Sequence, residues 1–77
     1  MWDVDRERMP MWVVYNNPTD YPGETVARLT YTLPADEQTN LLIRAPLPMI
    51  RAALSSHGYI NIRRQPEDDP VIVEVWL

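Results

Sequence analysis

The sequence predicts an α+β domain in which a small, mainly antiparallel sheet of about five strands carries one helix on one face, in the order β-β-β-α-β-β. Three observations lead to this prediction. Five short apolar segments have the composition or the alternation of strands, one segment carries an apolar stripe with the helical period, and turn residues separate them. The 77 residues are enough for one domain with a thin core.

The N-terminal residues 1–10 match neither period, and we expect a flexible extension there, followed by a single domain over residues 11–77. The first strand is predicted at residues 12–15, a β-branched and aromatic run that an Asn-Asn-Pro turn closes. Tyr21-Pro22-Gly23-Glu24 has the order of a type II turn, because proline fixes φ at the first central position and glycine supplies the positive φ at the second. We expect the chain to reverse there.

The second strand, predicted at residues 25–33, alternates clearly and is expected to be central. Its two faces carry Ala27, Leu29, Tyr31 and Leu33 on one side and Val26, Arg28, Thr30 and Thr32 on the other. A polar loop over residues 34–40 leads to the third strand at residues 41–44.

A helix is predicted after Pro46, since proline is tolerated in the first turn, and Gly58 is suited to end it in the left-handed conformation. Its apolar stripe consists of Leu47, Ile50, Ala53 and Leu54. About three turns are marginal in isolation, and a strong N-cap side chain is lacking, so we expect this helix to form only by packing on the sheet.

Two further strands are predicted at residues 59–64 and 71–77, joined by a turn over residues 65–69. Each strand has two faces, and we expect the more aliphatic face to meet the helix. The inward set is Ile60, Ile62, Val71, Val73, Val75 and Leu77. The outward set is Tyr59, Asn61, Arg63, Ile72, Glu74 and Trp76.

Composition narrows the function before any motif is considered. The chain has no cysteine and no lysine, a single histidine and a net charge of −4. These features argue against thiol chemistry, against zinc sites that contain cysteine, and against autonomous binding to nucleic acid or an anionic membrane. The first ten residues lack the apolar run of a signal peptide, and no segment approaches the roughly 18 apolar residues of a membrane span, so we expect a cytoplasmic protein.

No pattern in the chain indicates an enzyme, a metal or a cofactor. His57 lies beside two serines at the predicted helix end, where the three side chains cannot form a nucleophile, a base and an orienting group, so we interpret it as a C-terminal cap in preference to a catalytic base. Glu67-Asp68-Asp69 lacks the spacing and the glycine of a calcium loop and is interpreted as a solvated turn near Arg63 and Arg64.

The predicted outward face of the sheet is the first of two candidate binding surfaces. Aromatic rings together with arginines are typical of a protein interface, and Tyr59, Arg63 and Trp76 would be its anchors, with Glu74 beside them. The alternative is that the N-terminal extension or a second copy covers Trp76 and Ile72.

Loop carboxylates form the second candidate surface. It consists of Asp36, Glu37, Glu67, Asp68 and Asp69, with Asp20 and Glu24 nearby. Carboxylates held on rigid turns present the charge of a phosphate backbone to an arginine-rich groove, so this surface would compete with nucleic acid for a protein. A run of charges is more commonly only a solvated face, and that interpretation stays open.

Two segments resemble the two ends of a family of short, mostly uncharacterised proteins from proteobacteria and their phages and prophages: WVVYNNPTDYP at residues 12–22 and PEDDPVIVEVW at residues 66–76. The resemblance covers residues 11–77, and members of this family typically begin near the position of Met11. It implies a phage or mobile-element setting more than a particular activity.

In that setting, the size, the element order and the acidic charge are similar to those of small anti-CRISPR proteins. Some of these act on type I systems and block the crRNA-guided surveillance complex by occupying its DNA-binding or subunit surfaces. The resemblance implies a non-enzymatic inhibitor that binds such a host complex through its acidic surface. The alternative is a housekeeping or regulatory interaction module that uses the exposed sheet face. The partner and the oligomeric state stay open.

Overall fold

The structure, a computed structural model, describes residues 4–63 and 70–77. Within these residues five strands form one antiparallel sheet, and one α-helix lies on one of its faces. This arrangement confirms the predicted α+β fold and the order β-β-β-α-β-β. In chain order the elements are a 3₁₀ turn (Arg6–Arg8), β1 (Pro10–Asn16), β2 (Thr25–Tyr31), β3 (Glu37–Arg44), α1 (Leu47–Ser56), β4 (Asn61–Arg63) and β5 (Ile72–Trp76).

The first strand lies at the centre of the sheet, whose strand order is β3-β2-β1-β5-β4. β1 pairs with β2 along its whole length. The chain reverses between them at the predicted turn, where Gly23 has φ +80° and the Glu24 N–H donates to the Tyr21 carbonyl at 3.2 Å. A fixed turn sets the register of the two strands, and the register decides which side chains share a face.

The helix α1 starts after Pro46, which makes no side-chain cap hydrogen bond, and it ends at His57 and Gly58. Gly58 has φ +87°, which confirms the left-handed helix end predicted for this position. Ile50 and Leu54 of the predicted stripe are fully buried in the core. Burial against the sheet therefore stabilises a helix that has weak capping of its own.

The core lies between α1 and the face of the sheet that meets it, which we call the helix face. The sheet and the residue that leads into β4 contribute Trp12, Val14, Ala27, Leu29, Tyr31, Tyr59 and Trp76 to it. The predicted inward face of the second strand is thus confirmed as far as Tyr31.

The facing of residues 59–62 and 74–77 is the reverse of the prediction, whereas Val73 packs against the core as predicted. Trp76, Tyr59 and Glu74 were expected to face water, but they are only 6%, 5% and 4% exposed. Ile60 and Ile62 were expected to point inward, but both are exposed on the other face. Alternation defines two faces without saying which one meets the helix. The rings decide the question, because an aromatic side chain buries about 150–250 Å², more than a valine or an isoleucine.

The N-terminal segment, where it is described, is not the separate extension expected from the sequence. Val4 packs against the core. Both arginines of the 3₁₀ turn stack on core tyrosines, with Arg6 4.6 Å from the Tyr59 ring centre and Arg8 4.5 Å from that of Tyr31. Such contacts join residues far apart in the chain, so a search for local periodicity does not detect them.

Candidate functional site

The face of the sheet opposite α1, called the open face below, is covered in one half and bare in the other. The loop between β1 and β2 folds across the first half, where Asp20 lies 3.8 Å from Arg28 and the Arg44 guanidinium lies 4.5 Å from the Tyr21 ring. Val26 of β2 is buried on this side of the sheet. Over β5 and β4 the open face instead carries exposed apolar side chains.

Three of these side chains, Ile60, Ile62 and Leu77, form one surface together with Met9, which lies just before β1; we call this surface the apolar patch. Ile60 is 67% exposed and Leu77 is 53% exposed. The two residues lie opposite each other and exchange backbone hydrogen bonds of 2.7 and 2.9 Å, which puts their side chains side by side. Ile62 lies two residues further along the same face, opposite Val75. Met9 joins them because it lines the same groove as Leu77.

That groove has a volume of about 230 Å³ and opens at the Leu77 end of the apolar patch. Its walls are Arg6, Met9, Pro10, Thr32, Tyr59 and Leu77. The Tyr59 hydroxyl is buried and has no hydrogen-bond partner among the described residues, while the Arg6 guanidinium lies over the Tyr59 ring. The groove therefore combines apolar walls with a positive charge.

Glu74, a predicted partner-binding residue, is internal and is held by the protein's own donors. Arg51 of α1 donates from Nε and Nη2 to Oε1 at 3.0 and 2.8 Å. Asn61 Nδ2 and Trp76 Nε1 both donate to Oε2 at 2.6 Å. This network ties α1 to β4 and β5.

The predicted aromatic binding surface is therefore wrong in its geometry. Trp76 and Glu74 lie inside the network, and Tyr59 packs edge-on against Trp12 with the ring centres 6.1 Å apart. These side chains stabilise the core, because the two aromatic rings lie on the helix face of the sheet and not on the open face. The side chain of Arg63, the remaining predicted anchor, lies outside the described residues.

Only two of the five carboxylates of the predicted acidic surface, Asp36 and Glu37, lie among the described residues. Asp36 is exposed, whereas Glu37 already binds Arg8, whose Nη2 donates to Oε2 at 2.7 Å. Glu67, Asp68 and Asp69 lie outside the described residues. The end of β4 and the start of β5, which bracket these three residues in sequence, lie at the opposite end of the sheet from the start of β3.

Two other carboxylates lie at the end of the sheet where β4 ends and β5 starts. Glu24 accepts hydrogen bonds of 3.0 and 2.9 Å from Arg44, and these bonds raise the pKa of Arg44 above its ordinary value. The Asp20 carboxylate lies 3.8 Å from Arg28, and its side chain remains 73% exposed. Asp20 therefore presents more negative charge to solvent than Glu24 does.

His57 ends α1, which confirms the predicted capping role. Its backbone N–H donates to the carbonyls of Ala53 and Leu54 at 3.2 Å, and its ring Nδ1 lies 2.9 Å from the Ala53 oxygen. The neighbouring Ser56 hydroxyl donates to the same Ala53 oxygen at 2.9 Å. Both side chains are thus engaged with the last turn of the helix.

The described residues contain neither a group of metal-ligating side chains nor a membrane-spanning helix. In residues 4–63 and 70–77, no three histidine, cysteine or carboxylate side chains are grouped so that they could hold a metal ion. Within the same ranges no helix has the length and apolar character needed to cross a membrane.

Comparison of the chain with protein-family models, with curated proteins and with solved structures found no match. The fold and the site define a small antiparallel sheet with one helix and a partly apolar open face. The resemblance of residues 12–22 and 66–76 to a phage-associated family stays a prediction.

The apolar patch is the feature that sequence reasoning missed. Ile60, Ile62 and Leu77 were expected in the core because they are aliphatic. A usable signal was present, since the opposite faces of the same two strands carry Tyr59 and Trp76, whose rings bury more area.

Proposed function

We propose that this protein acts by binding another protein and performs no chemistry of its own, and that its binding surface is the apolar patch. The observation that carries this proposal is the exposure of four large apolar side chains on one contiguous area. Monomeric proteins rarely expose contiguous apolar patches larger than a few hundred Å², and such patches mark sites of association. The protein would then be an interaction module that uses its exposed sheet face, which is the alternative that the sequence also allowed. Its binding residues would be those of the apolar patch instead of Tyr59, Arg63 and Trp76.

The backbone beneath the patch favours tight binding. Ile60 and Ile62 flank the start of the ladder between β4 and β5, and Leu77 is tied to Ile60 by two hydrogen bonds. Side chains on a fixed backbone lose little conformational freedom when a partner covers them, so more of the buried apolar area contributes to affinity. Below the sheet, the Glu74 network holds the same two strands to α1.

A double variant, Ile60→Thr with Leu77→Thr, tests the proposal. Threonine is β-branched and therefore favoured in strands, so the fold should persist while the apolar area is lost. Met49→Gln is the matched control, since Met49 is an exposed apolar residue of α1 outside the patch. The measurement is affinity capture from a lysate of the bacterial host with the three tagged proteins, followed by quantitative mass spectrometry.

We expect a set of proteins that the wild type and Met49→Gln retain and that the double variant loses, with a reduction of about 10-fold or more. If the wild type, Met49→Gln and the double threonine variant captured the same lysate proteins in equal amounts, the proposal would be contradicted.

A second candidate function is inhibition of a host nucleic-acid-binding complex, such as a type I CRISPR surveillance complex, through carboxylates. The exposed Asp20 carboxylate favours it, because Asp20 lies at the end of the sheet where β4 ends and β5 starts. Glu67, Asp68 and Asp69 fall between those two strands in the sequence. Carboxylates of the β1–β2 connection and of the segment between β4 and β5 would then together bind a basic groove of the partner.

Phage plating separates the two candidates. In a bacterial strain with an active type I system, expression of an inhibitor restores plating of a targeted phage. If the carboxylates act, reversing Asp68 and Asp69 to lysine abolishes this restoration, the double threonine variant retains it, and binding weakens as salt is added. A wild-type protein that leaves plating unchanged would remove this second candidate.

A further inference from the structure

The groove at the end of the apolar patch contains a guanidinium that has no carboxylate partner. Within the described residues, a carboxylate lies within salt-bridge distance of Arg8, Arg28, Arg44 and Arg51. Arg6 has none in the same part of the chain, and its hydrogen bond to the His57 carbonyl is long, at 3.4 Å. Its charge is therefore available to a partner.

Arg6 is also fixed in place. Its guanidinium stacks on the ring of Tyr59 at 4.6 Å, and the 3₁₀ turn that carries it is closed by the Asp5 carboxylate, which accepts from the Glu7 N–H at 3.0 Å. The Asp5 N–H donates to the Tyr31 hydroxyl at 3.0 Å, which attaches this turn to the core. A guanidinium held on an aromatic ring presents a planar set of donors that matches the geometry of a carboxylate.

The size of the groove limits what it can hold. Its volume of about 230 Å³ is smaller than the roughly 300–1,000 Å³ of sites that enclose a drug-sized ligand, so one large side chain fits better than a cofactor. Met9, Pro10, Leu77 and the ring of Tyr59 supply apolar contacts. Leu77 also belongs to the patch, so a chain seated in the groove can continue across Ile60.

We propose that this groove binds a short, non-extended segment of the partner protein in which a bulky apolar residue is adjacent to a glutamate or an aspartate. The apolar side chain enters between Met9 and Leu77, and the neighbouring carboxylate pairs with Arg6. Charge complementarity selects this occupant, since the groove offers one unpaired cation beside apolar walls. This inference rests on the proposed function, because it gives the chemistry of the partner for the same surface.

Four synthetic peptides test the inference in an NMR titration of the ¹⁵N-labelled full chain. They share a Gly-Ser background and differ at two adjacent positions, which are Leu-Glu, Leu-Gln, Ala-Glu and Ala-Gln. The Leu-Glu peptide is expected to shift the amide signals of Met9, Thr32, Tyr59 and Leu77. We expect about 10-fold weaker binding for Ala-Glu, from lost apolar burial, and about 2- to 5-fold weaker binding for Leu-Gln, from the lost ion pair.

Two arginine variants locate the carboxylate contact. In Arg6→Gln the Leu-Glu and Leu-Gln peptides should bind equally well, because the cation that distinguishes them is gone. In Arg44→Gln, which removes another exposed arginine outside the groove, the preference for Leu-Glu should persist. Thermal unfolding of both variants verifies that they are folded.

Two results would overturn the inference. The first is binding that does not distinguish Leu-Glu from the other three peptides, or shifts confined to residues outside the groove. The second is a set of groove shifts that depends on protein concentration without peptide, since the occupant would then be a second copy of this chain. If the peptides fail while the double threonine variant still loses its captured partner, the proposed function stands and only this inference falls.

Discussion

The indole N–H of Trp76 donates a 2.6 Å hydrogen bond to the carboxylate of Glu74, two residues earlier in β5. Residues two apart in a strand share a face, so both side chains lie on the helix face, where Arg51 completes the network. Because β5 turns Glu74 and Trp76 inward, Leu77 and the residues opposite this end of β5, Ile60 and Ile62, lie outside. The buried carboxylate and the exposed apolar patch are two consequences of one strand orientation.

Replacing Glu74 with alanine is expected to lower the free energy of unfolding by about 2–3 kcal/mol. The variant leaves the buried Trp76 N–H without an acceptor and removes the ion pair with Arg51, which is partly screened by water. Glu74→Gln retains an acceptor and should lose less. Urea unfolding followed by circular dichroism gives these values.

The exposed Asp36 provides the control for this prediction. Asp36→Ala should stay within about 0.5 kcal/mol of the wild type, as is usual for surface positions. Equal unfolding free energies for Glu74→Ala and Asp36→Ala would show that the network does not stabilise the fold.

A chain that starts at Met9, without residues 1–8, is expected to lose about 1–2 kcal/mol of stability. The deletion removes the burial of Val4 and the stacking of Arg6 and Arg8 on core rings. Amide exchange supplies a local readout, because the Leu33 N–H donates to the Arg8 carbonyl at 3.1 Å and should lose its protection. A chain without residues 1–3 is the control. Unchanged protection of Leu33 in the longer deletion would contradict the role of this segment.

Gly58→Ala is expected to lower the free energy of unfolding by about 1 kcal/mol. Gly58 has φ +87°, and an added methyl group would meet no atom within 4 Å, so the whole effect is backbone strain in the left-handed region. Gly58→Asn should be less destabilising, because asparagine tolerates this region better than alanine. An alanine variant as stable as the wild type would mean that the helix end relaxes to another conformation.

Local signals in the sequence were sufficient for the class of fold. Gly23 and Gly58 marked a turn and a helix end, and both have positive φ as predicted. The start of β3 at Glu37 was not predicted, because the first residues of this edge strand are polar and were read as a loop. An edge strand with exposed side chains lacks the apolar pattern that strand prediction needs.

The site was less predictable, for a physical reason. The alternation in the last two strands was recognised, but a period of two cannot say whether the Trp76 face or the Leu77 face meets the helix. That choice depends on the total area buried and on the donors that Arg51 and Asn61 bring to Glu74, which come from other elements. The position of the Arg6 guanidinium in the groove depends on the N-terminal segment folding back onto Tyr59. These two residues are far apart in the chain, so no local sequence pattern indicates the contact.

Thiol labelling tests the central claim, that the apolar patch is the surface a partner covers, most directly. The chain has no cysteine, so Ile60→Cys and Met49→Cys each introduce a single thiol at an exposed position. In purified protein both thiols should react with a maleimide at similar rates. In trace amounts in host lysate freed of small thiols, Ile60→Cys should react several-fold more slowly than Met49→Cys, because the partner covers it. Equal rates in the lysate, or an Ile60→Cys thiol already protected in the purified protein, would contradict the account.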